Sequence, residues 1–274
     1  MSRRQRRVIV AGVNDIPTND IPTNDTAALA WTLAGDTPAA TLQAQGFALL
    51  AAADLRRECQ VDAAALAALQ PAWNDLPPDA HLRDSGAYRF RRHASYVQEL
   101  RDGQPVRVAH RAHWQPTEYN ALHGGIERWF EPVKPLLDGT PGWRAVLHGL
   151  GQVFARTAGD SAPPRWYIEA HQFRIDTANG IGRPTPEGAH RDGVDYVAVI
   201  LVDRVAVRGG ETRVFQAAAP FGVRFTLAEP WSALLLDDAR VIHETTPIQP
   251  DDKAGWRDTL VVTYRRAGFQ DAEA

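Results

Sequence analysis

The second half of this 274-residue chain consists of short apolar segments separated by turn-forming residues, and this pattern restricts the possible folds most. Segments with the alternation or apolar content of strands are 166–175, 196–202, 213–215, 223–227, 233–236 and 259–264. Clusters of Gly, Pro or Asp bound each segment, and no helical pattern separates them. Closely spaced strands without intervening helices pair antiparallel in a sandwich or barrel. The sequence therefore predicts a mainly β core, a double-sheet jelly roll, over about 161–268.

The first half of the chain has a different pattern. Residues 14–25 are a polar tract that repeats Asn-Asp-Ile-Pro-Thr, and this tract predicts a flexible arm over residues 1–25. From residue 26 to about 160, segments rich in Ala and Leu have helical spacing, and Asp62 is one candidate helix cap. We therefore expect one folded domain over residues 26–274, in which helices from residues 26–160 support the jelly-roll core.

Composition and charge exclude several classes of protein. The net charge is −3 without a basic excess, which disfavours a nucleic-acid partner. No apolar run approaches the roughly 18 residues of a membrane span, and no apolar segment follows the basic start as it would in a secretory signal. Cys59 is the only cysteine, so an internal disulfide and a cysteine-rich metal site are excluded. We expect a reducing, cytoplasmic location and a metal site, if present, made of His, Asp and Glu.

Three residues have the spacing of such a metal site. His190 and Asp192 are two positions apart, so an extended segment turns both side chains to one face. His243 follows 51 positions after Asp192, directly after the apolar segment 233–242. A His-x-Asp pair alone is weak evidence, because nine histidines produce one by chance. Two imidazoles and one carboxylate on one face of an octahedral ion, however, are typical of non-haem iron(II) oxygenases, which keep the remaining positions open.

The surroundings of these residues resemble the 2-oxoglutarate/iron(II) dioxygenases. Residues 184–196, Pro-Thr-Pro-Glu-Gly-Ala-His-Arg-Asp-Gly-Val-Asp-Tyr, carry most of the resemblance, and Gly-Gly-Glu-Thr at 209–212 and Arg-Asp-Thr at 257–259 extend it. The similarity is greatest to the bacterial enzymes that hydroxylate free amino acids, the isoleucine-dioxygenase type. It covers about 165–267, with a looser match at 88–92. The resemblance implies a double-stranded β-helix (jelly-roll) fold, Fe(II), and 2-oxoglutarate and dioxygen as co-substrates.

The co-substrate 2-oxoglutarate needs a cation for its C5 carboxylate, and a guanidinium suits this role because it stays charged and pairs bidentately. Arg257 lies 14 positions after His243 at the start of a strand, where the family binds this carboxylate. The resemblance adds Thr259 and Thr212 as hydroxyl contacts. The residues also allow other interpretations: Arg257 could be a surface charge, Arg265 or Arg266 could take its role, and Thr212 could be an edge hydroxyl.

Candidate substrate contacts come from two strands. Alternation puts Gln172 and Arg174 on one face of the strand 166–175 and Glu169 and His171 on the other. The resemblance places this strand beside the iron, so Gln172, Arg174 and Glu169 are candidate pocket residues. Arg174 could instead pair with a structural acid such as Glu187, and His171 is better explained as a hydrogen-bonded core histidine than as a fourth ligand.

The second of these strands, residues 86–97, alternates aromatic and basic residues, and Arg89 is its candidate for binding a substrate carboxylate. Tyr88 and Arg91 are weaker candidates from the same segment.

The combined prediction is an iron(II)/2-oxoglutarate-dependent dioxygenase with a single catalytic domain. It hydroxylates the side chain of a free L-amino acid and converts 2-oxoglutarate to succinate. The substrate ammonium would bind Glu169, Glu187 or Asp195. Two alternatives stay open: the same cofactors with desaturation, sulfoxidation or cyclisation as the outcome, and a non-catalytic jelly-roll protein that binds a metal or an acid. The sequence leaves the number of subunits open, with a homodimer as one option.

Overall fold

The computed structural model describes residues 36–82, 87–101, 103–120, 122 and 124–272. The arm predicted for residues 1–25 lies outside these residues. Within them, no helix is long and apolar enough to cross a membrane.

In the part of the chain that the structure describes, five α-helices and two 3₁₀ turns precede or flank the strands. The α-helices are α1 (Pro38–Gln45), α2 (Ala52–Cys59), α3 (Ala63–Ala67), α4 (Pro135–Asp138) and α5 (Pro141–Ala158), and the 3₁₀ turns are Gln70–Trp73 and Gly159–Ser161. Side-chain caps explain where several of them begin. Asp62 accepts a hydrogen bond from the backbone N–H of Ala65 at 2.7 Å, as predicted, and Thr140 caps α5 in the same way.

Twelve strands form antiparallel sheets over the described residues. They are β1 (Phe47–Leu50), β2 (Arg89–Glu99), β3 (Val106–Arg107), β4 (Arg165–Asp176), β5 (Tyr196–Val205), β6 (Val207–Gly209), β7 (Thr212–Gln216), β8 (Gly222–Phe225), β9 (Ala233–Asp237), β10 (Val241–Thr245), β11 (Ile248–Pro250) and β12 (Trp256–Arg265). The major sheet has the order β1-β9-β5-β12-β4-β2-β3, and smaller sheets have the orders β10-β7-β8 and β11-β6. The mainly β fold with flanking helices, the jelly roll of the prediction, is confirmed.

The N-terminal half contributes more than helical support. Strand β1 pairs with β9 and forms one edge of the major sheet. Strand β2 pairs with β4 along its whole length, next to β3 at the other edge. All four side chains of β1 are buried, which explains why this segment forms a strand of the core. The helical region predicted over residues 26–160 therefore also supplies three strands of the major sheet.

The two faces of the major sheet have different neighbours. One face packs on the helices, where α5 lays apolar residues such as Phe154 against the sheet, and Phe154 stacks on Tyr196. The other face meets the three-stranded sheet β10-β7-β8 through a second apolar cluster that includes Val214 and Leu234. Successive residues of a strand alternate between these faces. Each side chain of β4 and β12 therefore faces either the helices or the space between the sheets.

Candidate active site

The three predicted metal ligands converge at one end of a cavity between the sheets. The backbones of His190 and His243 form an antiparallel bridge, with both N–H···O distances at 3.0 Å. Asp192 lies between them: its Oδ1 is 3.8 Å from His190 Nε2, and its Oδ2 is 3.8 Å from His243 Nε2. One donor atom from each residue lies within 4.8 Å of the other two. The arrangement is a His-Asp-His face open to the cavity.

The hydrogen bond of His190 and the protonation of His243 suit a divalent cation. His190 Nδ1 donates to the backbone oxygen of Gly188 at 2.9 Å, which leaves the lone pair of the neutral ring on Nε2, towards Asp192. Burial lowers the pKa of His190, but the carboxylates of Asp192 and Glu187 outweigh burial and raise it. Burial, reinforced by His190, holds the pKa of His243 well below its usual value, so this ring is neutral, as a ligand must be.

Asp238 fixes the loop that carries Asp192, and it was not among the predicted site residues. Its carboxylate accepts backbone N–H bonds from Asp192 at 2.9 Å, Gly193 at 2.8 Å and Val194 at 3.1 Å. Burial and the nearby charge of Asp192 raise the pKa of Asp238 to about 6. The available signal was an acidic residue at the end of the apolar strand β9, where a buried carboxylate requires several donors.

Arg257 lies deep in the same cavity with unused hydrogen-bonding capacity. Its residue is 3% exposed, and Nε and Nη2 have no partner in the described part of the chain. Burial, together with Arg204, lowers its pKa to about 10, so the guanidinium stays charged at neutral pH. A buried cation without a partner requires an anion. Thr259 lines the cavity beside it, which matches the predicted site for the 2-oxoglutarate carboxylate.

The two rival arginines do not face the cavity. Arg265 donates to the backbone oxygen of Gly268, and Arg266 pairs with Asp195 at 2.5 Å. Asp195 is therefore occupied away from the cavity lining, which disfavours its predicted role with a substrate ammonium.

Thr212, a predicted contact of the co-substrate, does not line the cavity. It is buried in β7, and its hydroxyl lies 3.3 Å from that of Thr245 in β10. Thr245, rather than Thr212, lines the cavity. The structure therefore brings the hydroxyl of Thr245 in β10, and not that of Thr212 in β7, to the cavity surface.

Gln172 and Arg174 of β4 were predicted to face the pocket, and this prediction is wrong. Gln172 donates to the backbone oxygen of Ala72 on the helical side. Arg174 holds Asp258 through two bonds of 2.8 and 2.6 Å on that side too. Alternation was correct, but a period of two does not state which face is inward. Arg174 does pair with a structural acid, although the acid is Asp258 and not Glu187.

The opposite face of β4 carries a buried cluster around Glu169. Its carboxylate oxygens lie 3.1 Å from His93 Nε2 and 3.3 Å from His113 Nδ1, and His171 packs beside both rings. Burial lowers the pKa of His113 to about 4, and that of His93 also falls. Burial raises the pKa of Glu169, but the two histidines outweigh this and lower it. The cluster is an ionised carboxylate among neutral imidazoles.

This histidine cluster has the donor atoms for a second metal, yet its neighbours oppose a cation. The Arg91 guanidinium donates to His171 Nδ1 at 2.6 Å, which commits that nitrogen as an acceptor. Arg111 lies 4.0 Å from Glu169, so positive charge already surrounds the carboxylate. We interpret the cluster as a hydrogen-bonded wall of the cavity, and His171 as the buried hydrogen-bonded histidine of the prediction.

Three arginines line the cavity beside this wall. Arg89, a predicted contact, donates to Asp79 at 2.7 Å, and Arg91 lies between the rings of Phe130 and Phe173, 3.6 and 4.2 Å from their centroids. Arg128 donates to the side-chain oxygen of Gln115 at 2.8 Å. The Nε atoms of Arg91 and Arg128 have no partner among the described residues. The cavity wall therefore presents an anion-binding region.

Sequence reasoning missed Arg128 and Gln115 because they lie outside regular strands. Arg128 is held by an isolated bridge to His113, with N–H···O distances of 2.9 and 3.0 Å, in a segment whose spacing suggested helix. A further missed residue, Gln270, lines the cavity and donates to the backbone oxygen of Gly193 at 2.7 Å. These positions have no local sequence signal, since only the tertiary fold brings them to the iron-binding face.

Glu187 is the acidic counterpart of the arginines. It lines the cavity next to the metal-binding face, with Oε1 3.6 Å from His190 Nε2. Its other oxygen, Oε2, is buried without a hydrogen-bond partner in the described residues. A buried carboxylate oxygen of this kind requires a donor.

Comparison with known families identifies the group of proteins that shares this site. The model of the 2OG-Fe dioxygenase family matches residues 70–263, which include every residue of the metal-binding face and Arg257. The chain belongs to the 2OG-Fe dioxygenase family. This family uses Fe(II), 2-oxoglutarate and dioxygen, and the His-Asp-His donor set of this dioxygenase fits Fe(II).

Solved structures agree with this assignment. A bsmA homologue from Methylobium petroleophilum PM1 is 55% identical, with a TM-score of 0.81 over 86% of this dioxygenase and 94% of that chain. IDO from Bacillus thuringiensis is 18% identical (TM-score 0.67; 84% and 95% covered), and the Fe(II)/α-ketoglutarate-dependent dioxygenase TqaL is 19% identical (TM-score 0.64; 83% and 85% covered). The last two show the shared fold alone. No curated protein matches this dioxygenase.

Proposed function

We propose that this dioxygenase hydroxylates the side chain of a free L-amino acid. The observation that carries the proposal is a cavity with two atoms of opposite charge that lack hydrogen-bond partners among the described residues, Arg128 Nε on one wall and Glu187 Oε2 beside the metal-binding face. The resemblance of residues 184–196 to amino-acid hydroxylases supports the same class of substrate.

Some residues of the cavity would bind Fe(II) and 2-oxoglutarate, and the others would orient the substrate. His190, Asp192 and His243 would hold Fe(II), and Arg257 with Thr259 would bind the C5 carboxylate of 2-oxoglutarate. When bound, iron and 2-oxoglutarate supply the oxidation, in which dioxygen is used to form succinate, carbon dioxide and an oxidised substrate. The remaining wall residues orient the substrate and exclude water.

The charge pattern favours a zwitterion. Asp79 already pairs with Arg89, and Glu169 is already bonded to His93 and His113. Among the described residues, Arg128 donates to the neutral side chain of Gln115 at 2.8 Å, and its Nε has no hydrogen-bond partner. A substrate carboxylate at Arg128 and an ammonium at Glu187 would satisfy both groups. A purely apolar substrate would leave Arg128 Nε and Glu187 Oε2 without hydrogen-bond partners, which is costly for buried polar atoms.

The proposal is tested by a substrate screen. The purified enzyme is incubated in air with Fe(II), 2-oxoglutarate and each of the twenty amino acids plus citrulline and ornithine, and products are analysed by mass. We expect one free amino acid to gain a single oxygen atom, with one succinate formed per product. Loss of two hydrogens instead would indicate desaturation or cyclisation at the same site.

The substrate's charged groups provide the control. Methyl esterification of the carboxylate and acylation of the amine should each remove most of the activity. If an N-acylated or carrier-bound amino acid reacts faster than the free one, the proposal is wrong. Absence of succinate with every candidate would instead favour a non-catalytic binding protein.

A further inference from the structure

We infer that Gln115 is a positioning residue that couples the substrate's carboxylate site to the iron ligand Asp192. The inference rests on the proposed function, because it takes the anion at Arg128 to be the carboxylate of the substrate. Gln115 lies between the two groups and bonds to both. Hydrogen bonds from Arg128 to Gln115 and from Gln115 to Asp192 therefore connect the anion-binding region to the metal-binding face.

The hydrogen bonds fix the orientation of the Gln115 amide. Its oxygen accepts from Arg128 Nη2 at 2.8 Å and from Asn120 Nδ2 at 3.2 Å. An arginine can only donate, so this end of the amide must be the oxygen. The amide nitrogen then has to donate, and it lies 3.3 Å from Asp192 Oδ1 and 3.5 Å from the Asp192 backbone oxygen.

A hydrogen bond on one carboxylate oxygen is what a metal ligand of this kind requires. A carboxylate that gives one oxygen to a metal keeps the other for a partner that sets its orientation. Each Asp192 oxygen faces one histidine at 3.8 Å, Oδ1 towards His190 and Oδ2 towards His243. Gln115 binds Oδ1, which favours Oδ2 as the ligand atom. Gln115 therefore sets the orientation of the Asp192 carboxylate towards the metal.

Arg128 gives this connection its response to substrate. Its Nη2 bonds to Gln115, while its Nε is buried without a partner in the described residues. An anion at Nε would draw the guanidinium towards itself, and the bonded amide would move with it. The 3.3 Å contact from Gln115 to Asp192 is long enough to tighten or break with a shift of a few tenths of an ångström. Occupancy of the carboxylate site would thereby change the position of Asp192.

The test compares two variants with a matched control. Gln115→Met keeps the size and loses both bonds, whereas Gln115→Glu can keep the bond to Arg128 but cannot donate to Asp192. Gln172→Met is the control, because Gln172 is equally buried but bonds to the helical side of the sheet. Fe(II) and 2-oxoglutarate are added to each protein in the absence of oxygen, and the absorption band of the Fe(II)–2-oxoglutarate–enzyme complex is recorded. The amino acid found in the screen is then added, and the band is recorded again.

We expect the amino acid to shift the band in the wild type and in Gln172→Met, and to leave it unchanged in both Gln115 variants. In air, the ratio of succinate to hydroxylated product should rise at least about fivefold in the Gln115 variants, as for one lost hydrogen bond of this kind. Iron affinity, measured separately by titration, should stay within about threefold of wild type in Gln115→Met.

Three outcomes would overturn the inference. A normal band shift and a normal succinate ratio in Gln115→Met would show that Asp192 does not depend on this amide. Loss of iron binding together with a large fall in melting temperature in both variants would make Gln115 a structural residue. A wild-type band that responds to no free amino acid would overturn the proposed function as well, which separates that failure from the failure of Gln115 alone.

Discussion

The iron-binding end of the cavity and the opposite end, which is the proposed substrate-binding end, are built in different ways. The iron-binding end uses residues from 187–259, held largely by backbone contacts such as the bridge between His190 and His243. The substrate-binding end combines β2, the segment 111–128 and one face of β4, held by side-chain bonds around Glu169 and Arg128. The first end is thus determined by local sequence and strand geometry, and the second by a network that exists only in the folded chain.

The largest effect should come from the iron-binding end. His243→Ala removes one of three ligands, so we expect turnover to disappear and Fe(II) affinity to fall by orders of magnitude in a titration. The matched control is His148→Ala, since His148 lies on α5 in the helical layer and bonds to Gln98. Normal iron binding in His243→Ala would contradict the assignment of the metal site.

The next effect concerns the co-substrate. Arg257→Ala would leave the C5 carboxylate of 2-oxoglutarate buried without its partner, which costs roughly 3–5 kcal/mol. We expect the 2-oxoglutarate KM to rise at least about a hundredfold, with little change in iron affinity. Arg265→Ala should behave as wild type, because its side chain bonds to the Gly268 backbone oxygen instead. The reverse result would move the anchor to Arg265.

The comparison between an arginine that lines the cavity and one on the helical side of β4 gives a third test. Arg128→Met should raise the amino-acid KM about tenfold to a hundredfold, the value of one charged hydrogen bond, without changing folding stability greatly. Arg174→Met should do the opposite: it breaks the pair with Asp258 and lowers the melting temperature, while KM stays unchanged. Kinetics and thermal unfolding of both variants decide whether Arg174 has any substrate role.

The smallest effect is a dependence of stability on pH at the substrate-binding end. The pKa of His113 falls to about 4 on folding, so the unfolded chain binds a proton below about pH 6.5 that the native state refuses. Glu169, whose pKa is lowered, acts in the same direction at lower pH. The apoenzyme should therefore lose stability as the pH falls from 6.5 to 4. His113→Gln should flatten this decline; an equally steep one would assign it to other groups.

The contrast between the two ends also explains what the sequence could predict. His190, Asp192 and His243 were accessible because a two-residue spacing and one following strand suffice to bring ligands together. The inward face of β4 was not accessible, since Gln172 and Glu169 satisfy the same alternation and only packing against the helices distinguishes them. Arg128 and Gln115 act through contacts between distant segments, and no local pattern marks such positions.

The position of β1 in the major sheet has a consequence for how the chain folds during its synthesis. Phe47 pairs with Leu236, about 190 positions later, so at a synthesis rate of roughly 5–20 residues per second its partner emerges some 10–40 s afterwards. During that interval an apolar strand has an unpaired edge, which is a hazard for aggregation. Arg257 is made later still, in β12. Production at lower temperature or with chaperones should therefore raise the yield of folded enzyme.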